Sequence, residues 1–238
     1  MPFSYGFKME TTPAFTAVIF DLDGTLVATD QFWIPAARAA TRRVFAERGI
    51  TLEQPSGNEW MRLVGYPMRV GLRIVLPDLD DDSMDALHIA CIEEEEKELR
   101  KGRAALLPGC REMLQHLKEQ GVQLGIASNC GKDYLVHMME ALGLQEWIEE
   151  ARCLDTPGIR DKSEMVADLL LHFGTQSAVM VGDRAGDMVA GRASDLPCIA
   201  YTGAFGDPIE AMDADAEIEH LVDLVPLLES GRLVAPRV

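Results

Sequence analysis

Four short and almost entirely apolar segments recur along this chain of 238 residues, and they constrain its fold more than any other feature. They cover residues 14–20, 122–127, 178–181 and 198–201. Each is too short for a helix and too uniformly apolar for a strand with one face in water, so buried parallel strands fit best. Amphipathic helical stripes separate them, at Cys110, Met113, Leu114 and Leu117 and at Met165, Val166, Leu169 and Phe173. The alternation predicts an α/β fold with a doubly wound parallel sheet.

The segment between the first two predicted strands contains only helical patterns. One stripe carries Trp33, Ala37, Ala40 and Val44, and another carries Met84, Leu87 and Cys91 before four consecutive glutamates at 93–96. We therefore predict an inserted all-helical cap at residues 29–107 and a Rossmann-like core formed by residues 1–28 and 108–238. The four glutamates are predicted to form a solvated helix face.

The charge balance restricts the possible partners. The 22 Lys and Arg residues against 39 Asp and Glu residues give a formal net charge of −17. Nucleic acid and anionic membranes require a positive protein surface, so neither is expected as a partner. No apolar run approaches the roughly 20 residues of a membrane span. The five scattered cysteines lack C-x-x-C spacing and are typical of a reducing compartment. We expect a cytoplasmic protein, monomeric or homodimeric. A small phosphorylated metabolite remains possible as its partner, because a metal ion and one lysine can reverse the field locally.

Polar residues follow three of the predicted strands. Asp21 and Ser128 each occupy the first position after an apolar segment, and Asp183 follows the segment at 178–181 with only Gly182 between them. Ligands in open α/β sheets bind at the carboxyl ends of the strands. We therefore expect these three side chains to gather at one edge of the sheet.

Asp21 and Asp23 are two residues apart, so in an extended segment their side chains point to the same side. Two carboxylates about 4 Å apart repel by roughly 4 kcal/mol at an effective dielectric constant of about 20. The addition of Asp183 and Asp187 increases that repulsion, which a bound cation or protonation would relieve. An oxygen-only set of ligands suits Mg²⁺. Taken alone, the Asp21–Gly24 segment is also typical of an aspartate-rich turn after a strand.

Ser128-Asn129 follows a predicted strand and precedes a predicted helix. A hydroxyl and backbone amides at such a junction form a natural phosphate site, although an N-cap is an equal alternative. Lys162 lies near the start of a helix, where the helix dipole disfavours a cation. A surface position would explain Lys162 equally well in isolation, and Lys132 is the second candidate for a cationic role.

Together these segments resemble the haloacid dehalogenase superfamily, in particular its phosphoglycolate-phosphatase-like branch with a helical cap. The matching motifs are Asp21-x-Asp23-Gly24-Thr25, Ser128-Asn129, Lys162 and Gly182-Asp183-x-x-x-Asp187, in the family's order. The resemblance implies Asp21 as nucleophile and Asp23 as general acid and base. It implies Mg²⁺ held by Asp21, the carbonyl of Asp23 and Asp183, with support from Asp187. The phosphoryl oxygens would be held by Gly24, Thr25, Ser128, Asn129 and Lys162.

The function implied by this resemblance is a Mg²⁺-dependent phosphatase that hydrolyses a small phosphate monoester through an aspartyl-phosphate. Asp23 favours phosphate over carbon–halogen substrates, because the dehalogenases of the superfamily have no equivalent aspartate. Many relatives have proline after the lysine, whereas Ser163 follows Lys162 here. Arg69 in the predicted cap resembles a substrate-contacting residue, with a surface arginine as the alternative. A phosphomutase and a catalytically silent regulatory protein are the competing functions.

Overall fold

The computed structural model describes residues 14–204 and 213–233, and these residues form alternating strands and helices. The strands are β1 (Ala17–Phe20), β2 (Gln123–Ala127), β3 (Glu150–Arg152), β4 (Ala178–Gly182), β5 (Cys198–Tyr201) and β6 (Ala216–Ile218). The helices are α1 (Asp30–Arg48), α2 (Gly57–Met61), α3 (Met68–Val75), α4 (Asp81–Arg100), α5 (Cys110–Glu119), α6 (Lys132–Leu142), α7 (Lys162–Phe173), α8 (Ala185–Arg192) and α9 (Leu224–Glu229). The predicted α/β class is confirmed.

The six strands form one sheet in the order β3-β2-β1-β4-β5-β6, and every neighbouring pair is parallel. The chain builds one half of the sheet outward from β1 and then crosses to build the other half from β4. The order therefore reverses between β1 and β4, which is where doubly wound sheets bind ligands. The segments that follow β1 and β4 carry the predicted aspartates.

The two strands that the apolar pattern missed are the edges of the sheet. β3 and β6 are three residues long, and their sequences are Glu-Ala-Arg and Ala-Glu-Ile. An edge strand is partly solvated, so it does not need the uniformly apolar residues of a buried central strand. The first predicted strand is shorter than expected, since β1 begins at Ala17.

Side chains of the central strand alternate between two apolar layers. Ala17 and Ile19 of β1 pack with residues of α7 and α8, whereas Val18 and Phe20 belong to a larger cluster on the opposite face. This alternation follows from the two-residue period of a strand. Helices therefore cover both faces of the sheet, and the strand ends are fixed between two packed layers.

Between β1 and α5 the described chain forms helices α1 to α4, which we refer to as the cap helices. α1 packs along α4, and the apolar cluster of the cap helices is continuous with one face of the sheet. The two segments that join these helices to the sheet pair with each other: the Ala28 amide donates to the Ala105 carbonyl at 2.9 Å, and the Leu107 amide donates to the Leu26 carbonyl at 2.8 Å. The division into a cap at 29–107 and a core stays a prediction.

Within the described ranges, no helix combines the length and the apolar character needed to cross a membrane.

Candidate active site

Asp21, Asp183 and Asp187 meet at the carboxyl ends of β1 and β4. One carboxylate oxygen from each lies within 4.8 Å of the others, and all three residues are buried. Lys162 reaches the same point from α7, with its Nζ 2.7 Å from Asp21 Oδ1 and 2.6 Å from Asp187 Oδ1. The structure thus brings together four of the residues selected from the sequence, although 141 positions separate Asp21 from Lys162.

Lys162 is the first residue of α7, and its side chain is only 6% exposed. The helix begins there because Asp161 caps it, accepting a hydrogen bond from the Glu164 amide at 3.0 Å. Burial lowers the pKa of Lys162, but the charges of Asp187 and Asp21 outweigh burial and hold that pKa above its ordinary value. The ammonium group therefore remains charged between the two carboxylates, despite its unfavourable place in the helix dipole.

The Asp21 carboxylate is fully enclosed, and only part of its charge is compensated. Burial raises its pKa to about 7, and the opposing effect of Lys162 is smaller. Its Oδ1 accepts a hydrogen bond from Lys162, whereas its Oδ2 is buried and has no hydrogen-bond partner among the described residues. A buried carboxylate oxygen in that state requires a proton, a cation or a ligand.

Asp183 shows the same incomplete pairing. Its Oδ1 accepts a hydrogen bond from the Thr25 hydroxyl at 3.1 Å, and its Oδ2 lies 3.3 Å from Arg184 Nε without the geometry of a hydrogen bond. Burial and the nearby charge of Asp21 raise the pKa of Asp183 well above its ordinary value. Gly24 permits this approach, because a Cβ at that position would lie 2.6 Å from Asp183 Oδ2.

These residues fit a divalent cation. Asp21 and Asp183 each have one buried oxygen without a hydrogen bond, carboxylate oxygens of the two residues lie within 4.8 Å of each other, and the donor set contains only oxygen. Hard cations such as Mg²⁺ prefer such ligands and bind through one or two carboxylates together with substrate phosphate oxygens. The cluster thus supplies ligands suited to a divalent cation.

Asp187 and Thr25 make contacts that differ from the roles assigned to them from the sequence. Both oxygens of Asp187 are engaged, Oδ1 with Lys162 and Oδ2 with the Arg184 amide at 3.0 Å. The Thr25 hydroxyl is committed to Asp183. In this structure both side chains orient neighbouring site residues, and their direct roles in metal or phosphate binding stay predictions.

Asp23 is not part of the cluster of three carboxylates and forms hydrogen bonds with two hydroxyl groups instead. Its Oδ1 accepts hydrogen bonds from the Thr29 hydroxyl at 2.8 Å and from the Tyr134 hydroxyl at 2.5 Å. Burial raises the pKa of Asp23, and these two hydrogen bonds oppose the rise. A carboxyl group with a raised pKa, held in a fixed orientation, is suited to exchange a proton with a ligand. No sequence pattern indicated Tyr134, which lies 111 positions from Asp23.

A cavity of about 530 Å³ opens from this cluster toward the cap helices. Asp21, Asp23, Ser128 and Asn129 line its inner end. Ser128 is buried, and its amide donates to the Arg152 carbonyl at 3.0 Å; the predicted phosphate contact of its hydroxyl stays a prediction. The Asn129 side chain donates to the Gly65 carbonyl at 2.8 Å and so connects the sheet to the cap helices. Its predicted phosphate contact stays a prediction.

Two basic residues at the edge of this cavity have different surroundings. Arg69 is half exposed, and its Nε lies 2.7 Å from Asp85 Oδ1. Lys132 is exposed at the start of α6. Lys162 is the basic residue that contacts Asp21, so the structure favours Lys162 over Lys132 as the partner of that carboxylate.

Arg184 is a buried basic residue that sequence reasoning missed. Its Nη2 donates to the Met61 carbonyl at 2.9 Å, across the boundary between the sheet and the cap helices. Gly65 must lack a side chain here, because a Cβ would lie 2.8 Å from Arg184 Cγ. The position of Arg184 directly after Asp183 was the sequence signal that could have identified it as a site residue.

The prediction that all four glutamates at 93–96 form a solvated face is wrong for Glu94 and Glu95, which are both half-buried. Glu95 lies on α4, is half-buried and lines the cavity. The apolar stripe of α4 explains this position, because Glu95 falls four residues after the buried Cys91 and therefore on the same helix face. The helical period therefore indicated that Glu95 lies on the buried side of α4, although a run of four like charges is typical of a solvated face.

Comparison with known proteins adds evidence that is independent of the geometry. The family of haloacid dehalogenase-like hydrolases matches residues 18–201. The phosphoglycolate phosphatase of Agrobacterium fabrum is 28% identical over 228 residues, which are 92% of this chain and 95% of the relative. The phosphoglycolate phosphatase of Pseudomonas putida is 27% identical over 220 residues, which are 88% of this chain and 78% of the relative.

Solved structures agree on the fold. A predicted phosphoglycolate phosphatase from Haemophilus somnus superposes with a TM-score of 0.79 at 21% identity, covering 90% of this chain and 98% of that protein. A haloacid dehalogenase-like hydrolase from Streptococcus pneumoniae gives a TM-score of 0.77 at 20% identity, with the same coverage of each chain. With the family match spanning most of the chain and the motif residues gathered at one sheet edge, this protein belongs to the haloacid dehalogenase-like hydrolases.

Proposed function

We propose that this protein is a Mg²⁺-dependent phosphatase that hydrolyses a small phosphate monoester through an aspartyl-phosphate on Asp21. The observation that supports it most is the buried arrangement of Asp21, Lys162 and Asp183 beside the separately held Asp23. The names of the relatives point in the same direction, since several are phosphoglycolate phosphatases.

Asp21, Asp183 and the carbonyl of Asp23 are the groups proposed to hold the cation, with Asp187 in support through Lys162. When bound, Mg²⁺ would neutralise charge on the phosphoryl oxygens and lower the pKa of Asp21, so that this carboxylate is ionised at neutral pH. The uncompensated oxygens of Asp21 and Asp183 support this assignment.

The proposed reaction begins with in-line attack of the Asp21 carboxylate on phosphorus, and the bond from phosphorus to the ester oxygen breaks. Asp23 gives a proton to the departing alcohol and then takes one from the water that hydrolyses the intermediate. Lys162 and the Ser128 hydroxyl would hold phosphoryl oxygens. Phosphate monoesters hydrolyse extremely slowly without a catalyst, so positioning must supply much of the acceleration.

The cavity restricts the substrate to a small molecule. Its volume of about 530 Å³ is within the range of small-molecule sites, and the cap helices cover it. We propose that residues 29–107 act as a cap that closes over the ester and keeps bulk water from the intermediate. A phosphorylated protein surface would not fit this site.

A phosphate-release screen over small esters, with and without Mg²⁺, tests the proposal. We expect release by the wild-type protein only with Mg²⁺, and none by Asp21→Asn. Asp78→Asn is the matched control, because Asp78 is exposed and the substitution changes the charge equally. Undiminished release by Asp21→Asn would remove Asp21 as nucleophile. Isomerisation of a sugar phosphate in the presence of a bisphosphate activator would instead indicate a phosphomutase.

A further inference from the structure

Glu95 is an acidic side chain of the cap helices that the proposed reaction does not use. It lines the cavity that also contains Asp23 and Tyr134. Within the ranges that the structure describes, no donor forms a hydrogen bond with its carboxylate, and no basic group lies within ion-pair distance of it. Its neighbours 94 and 96, by contrast, form ion pairs with Lys97 and Arg100. Glu95 therefore offers a free acceptor to whatever enters the cavity.

The surroundings of Glu95 make an unpaired carboxyl group unfavourable. Burial, followed by the charge of Asp23, raises the pKa of Glu95 to about 8. A half-buried polar group without a partner costs free energy that a ligand can recover by supplying the missing hydrogen bond. The ionised carboxylate only accepts hydrogen bonds, which a hydroxyl or an ammonium group would satisfy, whereas the protonated form can also donate one.

The basic residues along the cavity are poorly placed to receive a substrate carboxylate at the cap. Arg69 is half exposed and is paired with Asp85 at 2.7 Å and more distantly with Asp81 at 3.9 Å. Burial and the charge of Arg69 lower the pKa of His88, which favours its neutral form. Lys132 is exposed and lies three residues after Asn129, on the side of the cavity that belongs to the sheet.

We propose that Glu95 determines substrate choice, favouring phosphate esters whose leaving group carries a hydrogen-bond donor, a hydroxyl or an ammonium, over esters that carry a carboxylate. The inference rests on the proposed phosphatase function and narrows it. A carboxylate-bearing ester such as phosphoglycolate would bring one more negative charge to a cavity that already contains Asp21, Asp23 and Glu95. It would also leave the acceptor of Glu95 unpaired.

A matched series of esters tests this selectivity. Straight-chain alkyl phosphates of equal length, ending in methyl, hydroxyl, ammonium or carboxylate, differ only in the group offered to the cap. For the wild-type protein we expect kcat/KM for the better donor-bearing ester to exceed that of the methyl ester by at least about tenfold, because a site with an unpaired acceptor discriminates against ligands that lack a donor. With all esters assayed at pH 9, where Glu95 is ionised, the carboxylate ester is expected to be the poorest substrate. Comparison of kcat/KM for the hydroxyl and ammonium esters shows which of the two donors Glu95 prefers.

Glu95→Ala should reduce the preference for a donor to about twofold or less, mainly through KM, because the acceptor is removed while Asp21 and Lys162 remain. Glu95→Gln keeps an acceptor oxygen and should retain a preference for hydroxyl but lose any preference for ammonium. Glu96→Ala is the control, since Glu96 is exposed on the same helix and pairs with Arg100, and it should behave as wild type.

Two failures of this experiment are distinguishable. If the wild-type protein prefers the carboxylate ester, or if Glu95→Ala retains the full donor preference, the role of Glu95 is refuted while the phosphatase function stands. If no ester releases phosphate, the activated aryl ester p-nitrophenyl phosphate included, the proposed function is refuted and the inference with it.

Discussion

Replacement of Lys162 by methionine tests the charge arrangement of the site most severely. The substitution keeps a long apolar side chain but removes the cation from between Asp21 and Asp187, 2.7 Å and 2.6 Å from its Nζ. Removal of one partner of a buried ion pair typically costs about 3–5 kcal/mol, because the remaining charge is left uncompensated. For a chain of this size, each kcal/mol corresponds to about 2–4 °C in Tm, so we expect a decrease of roughly 6–20 °C in metal-free buffer at pH 8.

The effect should depend on pH in a definite direction. Without Lys162 the pKa of Asp21 rises above its value of about 7, so the remaining carboxylates take up protons more readily as the pH falls. Protonation removes the uncompensated charge, and the Tm deficit of Lys162→Met should therefore be smaller at pH 5 than at pH 8. Thermal unfolding followed by circular dichroism at both values measures this difference.

Lys132→Met is the matched control for this experiment. Lys132 is exposed, so its replacement should change stability by no more than about 0.5 kcal/mol. We also expect Lys162→Met to reduce phosphate release by about 100-fold or more, as for loss of a preorganised group that stabilises the transition state. Equal Tm values for the two variants at pH 8, or greater loss of activity in Lys132→Met, would refute the assignment of Lys162.

Further predictions concern the proton donor, the cation and the cap. Asp23→Asn should reduce turnover far more for alkyl phosphates than for p-nitrophenyl phosphate, because an activated leaving group needs no proton; equal losses would contradict the acid role of Asp23. Mg²⁺ should raise Tm more at pH 8 than at pH 5. The raised pKa values of Asp21 and Asp183 mean that the metal-free folded state loses stability as pH rises from about 4 through 7. At low pH, protons also compete with the cation for these carboxylates. An equal rise in Tm at pH 5 and pH 8 would argue against Asp21 and Asp183 as ligands. Arg69→Ala should change KM by no more than about twofold, since the guanidinium is half exposed and paired with Asp85, and a larger increase would make it a substrate clamp.

The central strands were predictable because a strand that is buried on both faces consists almost entirely of apolar residues. Strands β1, β2, β4 and β5 are enclosed on both faces, and their apolar runs were found with ends within a few residues of the observed ones. β3 and β6 lie at the sheet edges, where partial solvation removes the apolar pattern and leaves nothing to distinguish three residues from a loop. β3 and β6 form because they hydrogen-bond to neighbouring strands, and their own residues do not indicate this pairing.

The candidate site residues that directly follow a strand were predictable from the sequence. Asp21 and Asp183 follow strands directly, and the topology alone brings such positions together. Tyr134, Thr29 and Arg184 were missed because their roles come from tertiary contacts, with Asp23 in two cases and with the Met61 carbonyl in the third. Glu95 was missed because a run of four glutamates is typical of a solvated face. The helical period was the signal that could have placed Glu94 and Glu95 toward the buried side of α4.

The central claim is that Asp21 accepts the phosphoryl group, and direct detection of that adduct is its most decisive test. Enzyme quenched in acid during turnover of a phosphate ester in Mg²⁺ can be digested and examined by mass spectrometry. The proposal predicts a phosphorylated peptide containing residues 21–25, with the added group on Asp21 and absent from Asp21→Asn. Steady turnover with no phosphorylated Asp21 at any quench time, or with the phosphoryl group on a different residue, would contradict it.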